Sequence, residues 1–459
     1  MTNDGLAAAQ QKMTAGGVGA AAIDAFTHYY RQLEAGQTGI ITEESIEPLP
    51  TVARYADLDI DPGQAAEALG KTVYIKLNGG LGTSMGLAGP KALLPVRDGH
   101  TFLDLVVAQV LAARARHGVR LPLLLMHSFA TRDASLAALA KYPELPVDDL
   151  PLDFLQSREP KLLADTLAPV EWPDDPELEW CPPGHGDIYP SMVDSGVLDK
   201  FIAAGFRYAA VSNSDNLGAA PDPLLAGWFA STGAPFAMEV CRRTVNDRKG
   251  GHLAIRRDDG HIVLRESAQT ADQDMTHFTD EKRHPWFNTN NLWLDLGAVR
   301  AAIAERGGVL GLPLIRNLKN VDPRDAGSPE VIQIETAMGA AIEVFETAQA
   351  IEVERERFVP VKKTNELLLL RSDCYGIDAE AGVLAQQVTD LPEVDLDAKF
   401  YAKVDDFEQR VPQAPSMVDA RSLRVRGDVS FGAGVKVTGD VEINTDEPQV
   451  IADGTELGA

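Results

Sequence analysis

Residues Val73–Leu94 read VYIKLNGGLGTSMGLAGPKALL, and the fold turns on how this stretch is interpreted. A strand-like apolar run, Val73 to Leu77, breaks into a loop holding Gly79, Gly80, Gly82, Gly86 and Gly89 and ends at Pro90-Lys91. An apolar run feeding a glycine-rich loop is how a parallel sheet presents backbone N–H groups to a phosphate. Glycine admits positive φ and lets the backbone lie against a ligand. Lys91 adds a mobile point charge for a phosphate oxygen. The plain alternative is a glycine-rich surface loop with a solvated lysine. Spacing excludes two named phosphate loops. Walker A needs G-x-x-x-x-G-K-[ST], whereas Pro90 and Ala92 flank Lys91. The dinucleotide fingerprint needs G-x-G-x-x-G opening a helix, whereas Gly80-Leu81-Gly82 runs on to Met85, Gly86 and then Pro90. A nucleotide loop of another kind remains.

Strand and helix patterns alternate outward from this loop. Thr101–Ala115 predicts a helix capped by Thr101, with Asp104 three residues on. Leu121–Met126 is a near-continuous apolar run, as for a strand buried on both faces. Thr131–Ala140 predicts the next helix. Such alternation gives an α/β domain with a mostly parallel sheet, whose ligands bind at the carboxyl ends of strands. Arg207–Asn216 (RYAAVSNSDN) is a buried strand running into an Asx-rich turn, where an aspartate is placed to hold Mg²⁺ or simply to make the turn. Phe236–Arg243 and the runs around His252–Arg265 predict antiparallel strands. Trp180–Pro190 (WCPPGHGDIYP) is a rigid loop before a helix expected near Ser191, and His185 and Asp187 there also suit turn chemistry and capping. Trp286–Leu296 (WFNTNNLWLDL) reads as an Asn-rich turn before an apolar strand, and Val331–Glu346 as a helix with a stripe of small residues.

Residues 1–45 are Ala-, Gln- and Glu-rich, with helical spacing over Ala20–Leu33, and form a helical arm on the main domain. After Leu391 the pattern changes. Leu423–Ile443 has short β-branched runs separated by Gly-Asp and Gly-Ala-Gly turns, which suits a C-terminal parallel β-helix. The expected domains are 1–70, 71–390 and 391–459.

The 459 residues suffice for two or three domains. A net charge of −26, from 42 basic and 68 acidic residues, argues against binding nucleic-acid polymers or anionic membranes. Any phosphate site is then built locally. Three scattered cysteines suggest a reducing compartment and no zinc site. No signal peptide and no membrane span is expected, so the default location is cytoplasmic.

KLNGGLGTSMG…GPK, residues 76–91, resembles the nucleotide loop of the eukaryotic-type UTP–glucose-1-phosphate uridylyltransferases. PPGHGD, SNSDN, FNTNN, IQIETAMGAAI and PVK follow in the family's order. The resemblance spans roughly residues 70–440 with at least five motifs, each weak alone and specific together. It implies a Rossmann-like nucleotidyltransferase domain and a Mg²⁺-dependent reaction, UTP + α-glucose 1-phosphate → UDP-glucose + pyrophosphate, run as a monomer or small homo-oligomer. On that resemblance, Leu77, Asn78, Gly79, Gly80, Lys91, Gln156, Gly184, Asp215 and Lys362 hold UTP. His185, Asn213, Ser214, Glu266 and Asn290 hold glucose 1-phosphate, and Asp215 holds the metal. Lys91, Lys362 and Asp215 carry the catalysis. The family often has an aliphatic residue where Ser214 stands, so its contact runs through the backbone. Two alternatives stay open: a uridylyltransferase for N-acetylglucosamine 1-phosphate or a broad set of sugars, and a non-catalytic nucleotide-sugar scaffold. Many enzymes of the former kind carry Gly-Thr-Arg, whereas this chain has Gly82-Thr83-Ser84-Met85.

Overall fold

The computed structural model describes residues 4–244, 247–378 and 383–458. The expected domain ranges also include 1–3, 245–246, 379–382 and 459, which lie outside the described residues. The centre is an eleven-stranded mixed sheet. Its main path runs Ala53–Arg54, Gln349–Glu352, Phe236–Arg242, Trp286–Asp295, Tyr208–Asn213, Thr72–Asn78, Leu123–His127, Asp153–Leu155. All neighbours on this path are parallel except those of Trp286–Asp295, which is antiparallel to both. The expected α/β architecture with a mixed, largely parallel sheet is what forms.

The apolar run at the start of the opening stretch is explained by two-sided burial. Tyr74 joins one core with Phe102, Val106 and Val110 of the helix Phe102–His117. Val73 and Ile75 join the other with Phe26 and Tyr30 of the helix Ala20–Glu34. A strand covered on both faces gains nothing from alternating polarity. The first of these helices begins as expected. Thr101 Oγ1 accepts from Asp104 N at 3.1 Å, and Asp104 Oδ2 accepts from Thr101 N at 3.0 Å.

The N-terminal segment contributes strands as well as helices. Ile46–Pro48 pairs with His252–Arg256, and Ala53–Arg54 with Gln349–Glu352. His252–Arg256 and Ile262–Arg265 form the expected antiparallel hairpin. At the C-terminus Glu393–Leu396, Ser416–Arg426, Lys436–Asn444 and Glu456–Leu457 pair in parallel, as do Val429–Phe431 and Gln449–Ile451.

Three local expectations are corrected. Val331–Glu346 is not a helix. Glu330–Glu335 is a strand between Ile315–Asn320 and Leu162–Leu163, and Met338–Glu343 is a short 3₁₀ segment. Val331, Ile332 and Ile334 find cross-strand partners there, which overrides the helical spacing. The small residues are packing residues as expected: a Cβ on Gly339 would meet Met238 Cε at 2.9 Å. The asparagines of Trp286–Asp295 lie inside the strand rather than before it. The helix expected near Ser191 begins at Ile188.

Candidate active site

Adjacent parallel strands bring two loops to one edge. Leu77 pairs with Asn213, and the glycine-rich loop and the Asp215 turn both leave from that point. The turn is tied back by Ser214 N, which donates to Leu77 O at 3.0 Å. Asn78 is buried, and its Nδ2 donates to Ser135 Oγ at 3.0 Å. Gly79 lies close to Gln156: a Cβ there would stand 2.8 Å from Gln156 Oε1, so a larger residue would push that carboxamide aside. Gln156 follows the strand Asp153–Leu155, and its N–H donates to His127 O at 2.7 Å. The glycine-rich loop closes when Lys91 N donates to Gly80 O at 3.0 Å.

Lys91 Nζ then reaches Asp215 Oδ2 at 2.5 Å, with both side chains about one-sixth exposed (16% and 17%). Asp215 Oδ1 accepts no hydrogen bond among the described residues. Among those residues no group of three or more His, Cys, Asp or Glu is gathered as a metal site. A single open carboxylate oxygen fits a hard cation that takes its other ligands from phosphates and water, as Mg²⁺ does.

A second wall rises from Pro182–Asp187. Gly184 has φ +78, and a Cβ there would meet Thr336 O at 2.5 Å. His185 Nδ1 accepts from Met338 N at 2.9 Å, which assigns the ring proton to Nε2. Burial lowers its pKa to about 4, so the imidazole is neutral. Asp187 is buried and accepts from Ser157 N (2.6 Å), Ser157 Oγ (2.5 Å) and Ser191 Oγ (2.7 Å), locking this wall to the residue after Gln156. Burial nevertheless raises its carboxyl to about 6.

The third group stands on the antiparallel side. Asn290 holds φ +58, a conformation asparagine tolerates better than most residues. Its N–H donates to Asn288 Oδ1 at 2.8 Å, and its Oδ1 accepts from Asn288 Nδ2 at 3.1 Å. The register slips there: Glu239 pairs with Asn291 and Val240 with Asn288, so Thr289 and Asn290 bulge out of their own strand. Burial raises the Glu266 carboxyl, and a hydrogen bond from Asn288 and the charge of Lys362 offset only part of that. Lys362 itself is exposed on an open groove of about 680 Å³ that Lys249, Gly250, Phe287 and Arg355 also line. It does not pair with Asp215 as Lys91 does.

Four organising residues escaped the sequence reading. Asn216 is buried and joins the Asp215 turn to the segment leading to Lys362. Its Oδ1 accepts from Val359 N at 2.8 Å, and its Nδ2 donates to Arg357 O at 3.1 Å and Asn291 Oδ1 at 3.1 Å. Arg357 in turn pairs with buried Glu239 (Nε–Oε2, 2.8 Å), which also accepts from Trp293 Nε1 at 3.0 Å. Ser128 Oγ donates to Gly79 O at 2.9 Å. Lys76 is wholly buried. Asn216 and Lys76 sit inside motifs already quoted, which was the available signal. Nothing local marks Arg357 or Ser128.

The family model described as UTP–glucose-1-phosphate uridylyltransferase matches residues 23–438. The uridylyltransferase of Solanum tuberosum is 40% identical over 406 residues, covering 88% of this chain and 82% of the relative. A probable enzyme of the same name from Schizosaccharomyces pombe is 38% identical over 395 residues, covering 85% and 76%. A mutant UDP-glucose pyrophosphorylase from Leishmania major, solved in complex with UDP-glucose, superposes with a TM-score of 0.92 at 41% identity, covering 99% of this chain and 98% of that one. A Trypanosoma brucei UDP-glucose phosphorylase gives 0.88 at 41%, covering 99% and 98%. With its loop register, its Lys91–Asp215 pair and a match that runs nearly end to end, the chain belongs to the UTP–glucose-1-phosphate uridylyltransferase family.

Proposed function

We propose that the chain transfers a uridylyl group reversibly from UTP to α-D-glucose 1-phosphate, giving UDP-glucose and pyrophosphate. The observation that carries this is the Lys91–Asp215 contact at the carboxyl edge of the sheet, in a chain of this family. A sugar-phosphate oxygen attacks the α-phosphorus of UTP in line. One P–O bond forms there as the bond to the bridging β-phosphate oxygen breaks, and pyrophosphate leaves. The nucleophile needs no general base, because the second pKa of a phosphomonoester is about 6.

The chain's task is to hold two polyanions together and spread their charge. Leu77, Asn78, Gly79 and Gly80 line the nucleotide with backbone groups. Gln156 offers its carboxamide to the uracil edge, since it both donates and accepts, and Gly184 lies against the ring. Lys91 and Lys362 neutralise the phosphates. His185 presents its Nε2 proton to the sugar phosphate. Asn213, Glu266 and Asn290 pair with glucose hydroxyls, and Ser214 contributes its backbone. Asp215 holds Mg²⁺, which when bound supplies positive charge to the phosphates.

The same proposal divides the chain into 1–70, 71–390 and 391–459, the last unit a parallel β-helix. Its support is the run of parallel pairings from Glu393 to Leu457. A cytoplasmic location belongs to it too, supported by three buried cysteines without disulfides. The test is pyrophosphate release with Mg²⁺, UTP and a panel of sugar 1-phosphates, with ATP and dTTP as controls. Release confined to UTP and glucose 1-phosphate is expected. Release with N-acetylglucosamine 1-phosphate and other sugars would widen the substrate class, and none at all would overturn the reading.

A further inference from the structure

Lys76 lies in the middle of the motif that opens the active site, yet its side chain is buried inside the protein. It is wholly buried on the strand Thr72–Asn78. Such a lysine is costly unless its ammonium is satisfied. Its Nζ donates to Ser212 Oγ at 2.7 Å, Ala219 O at 3.1 Å and Asn216 O at 3.4 Å, and lies 4.8 Å from the centre of the Tyr74 ring. These three acceptors bracket one segment. Ser212 precedes the turn that carries Asp215, Asn216 follows it, and Ala219 closes it. One side chain therefore grips both ends of the loop that presents the aspartate.

We propose that Lys76 is a positioning residue for the transfer reaction, holding the 212–219 loop so that Asp215 stands against Lys91 and the substrate phosphates. The inference rests on the functional reading above and deepens it. The alternative is a satisfied core lysine with no bearing on turnover. Three observations favour the positioning role. Two of the three acceptors, Asn216 O and Ala219 O, lie on the aspartate's own loop, and the third, Ser212, is the cross-strand partner of Lys76 on the strand that leads into that loop. Asn216, one of the three, also fixes the segment leading to Lys362 through Val359 N. The charges acting on the ammonium are those of the site's frame: its pKa is lowered to about 7, first by burial and then by the charge of Arg357, with Asp215 and Glu239 acting to raise it. Lys76 thus feels the charge of the residue whose loop it holds.

The experiment compares Lys76→Met and Ser212→Ala with Thr72→Val. Thr72 is buried at the far end of the same strand and bonds only locally, its Oγ1 donating to Ala68 O at 2.8 Å. It controls for loss of stability alone. Lys76→Met is expected to lower kcat by roughly 10²-fold, with KM for UTP changed by less than about threefold, because a displacement of about 1 Å at a catalytic group has that effect. The Mg²⁺ concentration for half-activation should rise. Ser212→Ala should show a smaller change of the same pattern. Thr72→Val should lower the melting temperature with kcat retained.

A readout independent of turnover is hydrogen exchange. In Lys76→Met, amides over 213–219 should lose protection while those of Leu123–His127 keep theirs. Should wild-type protein make no UDP-glucose, the functional reading fails, and the exchange pattern still decides whether Lys76 holds the loop. If Lys76→Met does not fold, Ser212→Ala and the exchange over 213–219 carry the test. Wild-type kcat, metal activation and loop protection in either variant, with only a lower melting temperature, would reduce Lys76 to a core residue.

Discussion

Lys91 and Asp215, 124 residues apart in the chain, meet through Nζ and Oδ2 at 2.5 Å. The pairing of Leu77 with Asn213 makes this possible, because it starts both loops at the same height on the sheet. Lys91→Ala removes the mobile charge without touching the core. It is expected to lower kcat/KM by roughly 10²–10³-fold, the usual consequence of deleting one charge-stabilising donor. Steady-state pyrophosphate release checks this, with circular dichroism to confirm the fold. Near-normal turnover would sink the assignment.

On the proposed reading, Asp215 is the acidic side chain that would hold the metal. Treatment with EDTA should abolish turnover, and added Mg²⁺ should restore it in the wild type. Asp215→Asn, which keeps the shape and removes the charge, should respond to added Mg²⁺ by less than a tenth as much. Restoration equal to wild type would show that the cation is held elsewhere.

Gly184 combines φ +78 with a Cβ position 2.5 Å from Thr336 O. The obstacle is backbone, so it cannot swing aside. Gly184→Ala should cost about 1–3 kcal/mol of stability from the forced conformation and contact. It should also weaken UTP binding more than glucose 1-phosphate binding. Urea denaturation and calorimetric titration separate the two effects. A variant as stable as wild type would mean that the loop yields.

His185 has a pKa lowered from 6.5 to about 4 by burial. Between these values the unfolded chain binds a proton that the folded chain does not. Stability from the neutral ring is thus present above pH 6.5 and is lost as pH falls from 6.5 towards 4. In the kinetics, kcat/KM for glucose 1-phosphate should show no His185 limb between pH 5 and 8. His185→Gln should lower the profile without changing its shape. A limb near pH 6 that vanishes in the variant would contradict the neutral-donor role.

Arg265 is fully buried, between Glu43 (2.6 Å) and Asp274 (3.2 Å), just before Glu266. Glu43 also accepts from Arg283 Nε (2.5 Å) and contacts His284 Nε2 at 3.1 Å. Burial opposes ionisation of Glu43, but the bonds from Arg283, His284 and Arg265 outweigh it and hold the pKa below the usual value. Arg265→Ala would leave these carboxylates short of a partner and should cost about 3–5 kcal/mol. A urea midpoint within error of wild type would refute this.

Legibility followed range. The Thr101 cap was readable because its bonds span three residues. The two-sided burial of Leu121–Met126, with Leu123 and Leu125 in one core and Leu124 and Met126 in the other, was readable because continuous apolarity has few other causes. The Val331–Glu346 stretch misled because helical spacing and β-branched residues both fit, and the strands Ile315–Asn320 and Leu162–Leu163 settled it from afar. The asparagines of Trp286–Asp295 look like turn residues in isolation. Strand neighbours on both sides make them strand residues, with a bulge at Thr289-Asn290 and Asn290 kinked.

The sequence by itself determined which segments are strands feeding loops, which loops carry glycine and lysine for phosphate, and, through the order of its motifs, the family. It did not contain, in any local form, the pairing of Lys91 with Asp215, the grip of Lys76 on Ser212 across 136 residues, or the tie from Asn216 to Val359. Parallel strands share no turn, so their register is set by packing over the whole sheet rather than by neighbouring residues. That register decides which loop ends face each other, and so only the tertiary structure turns a list of motifs into one site.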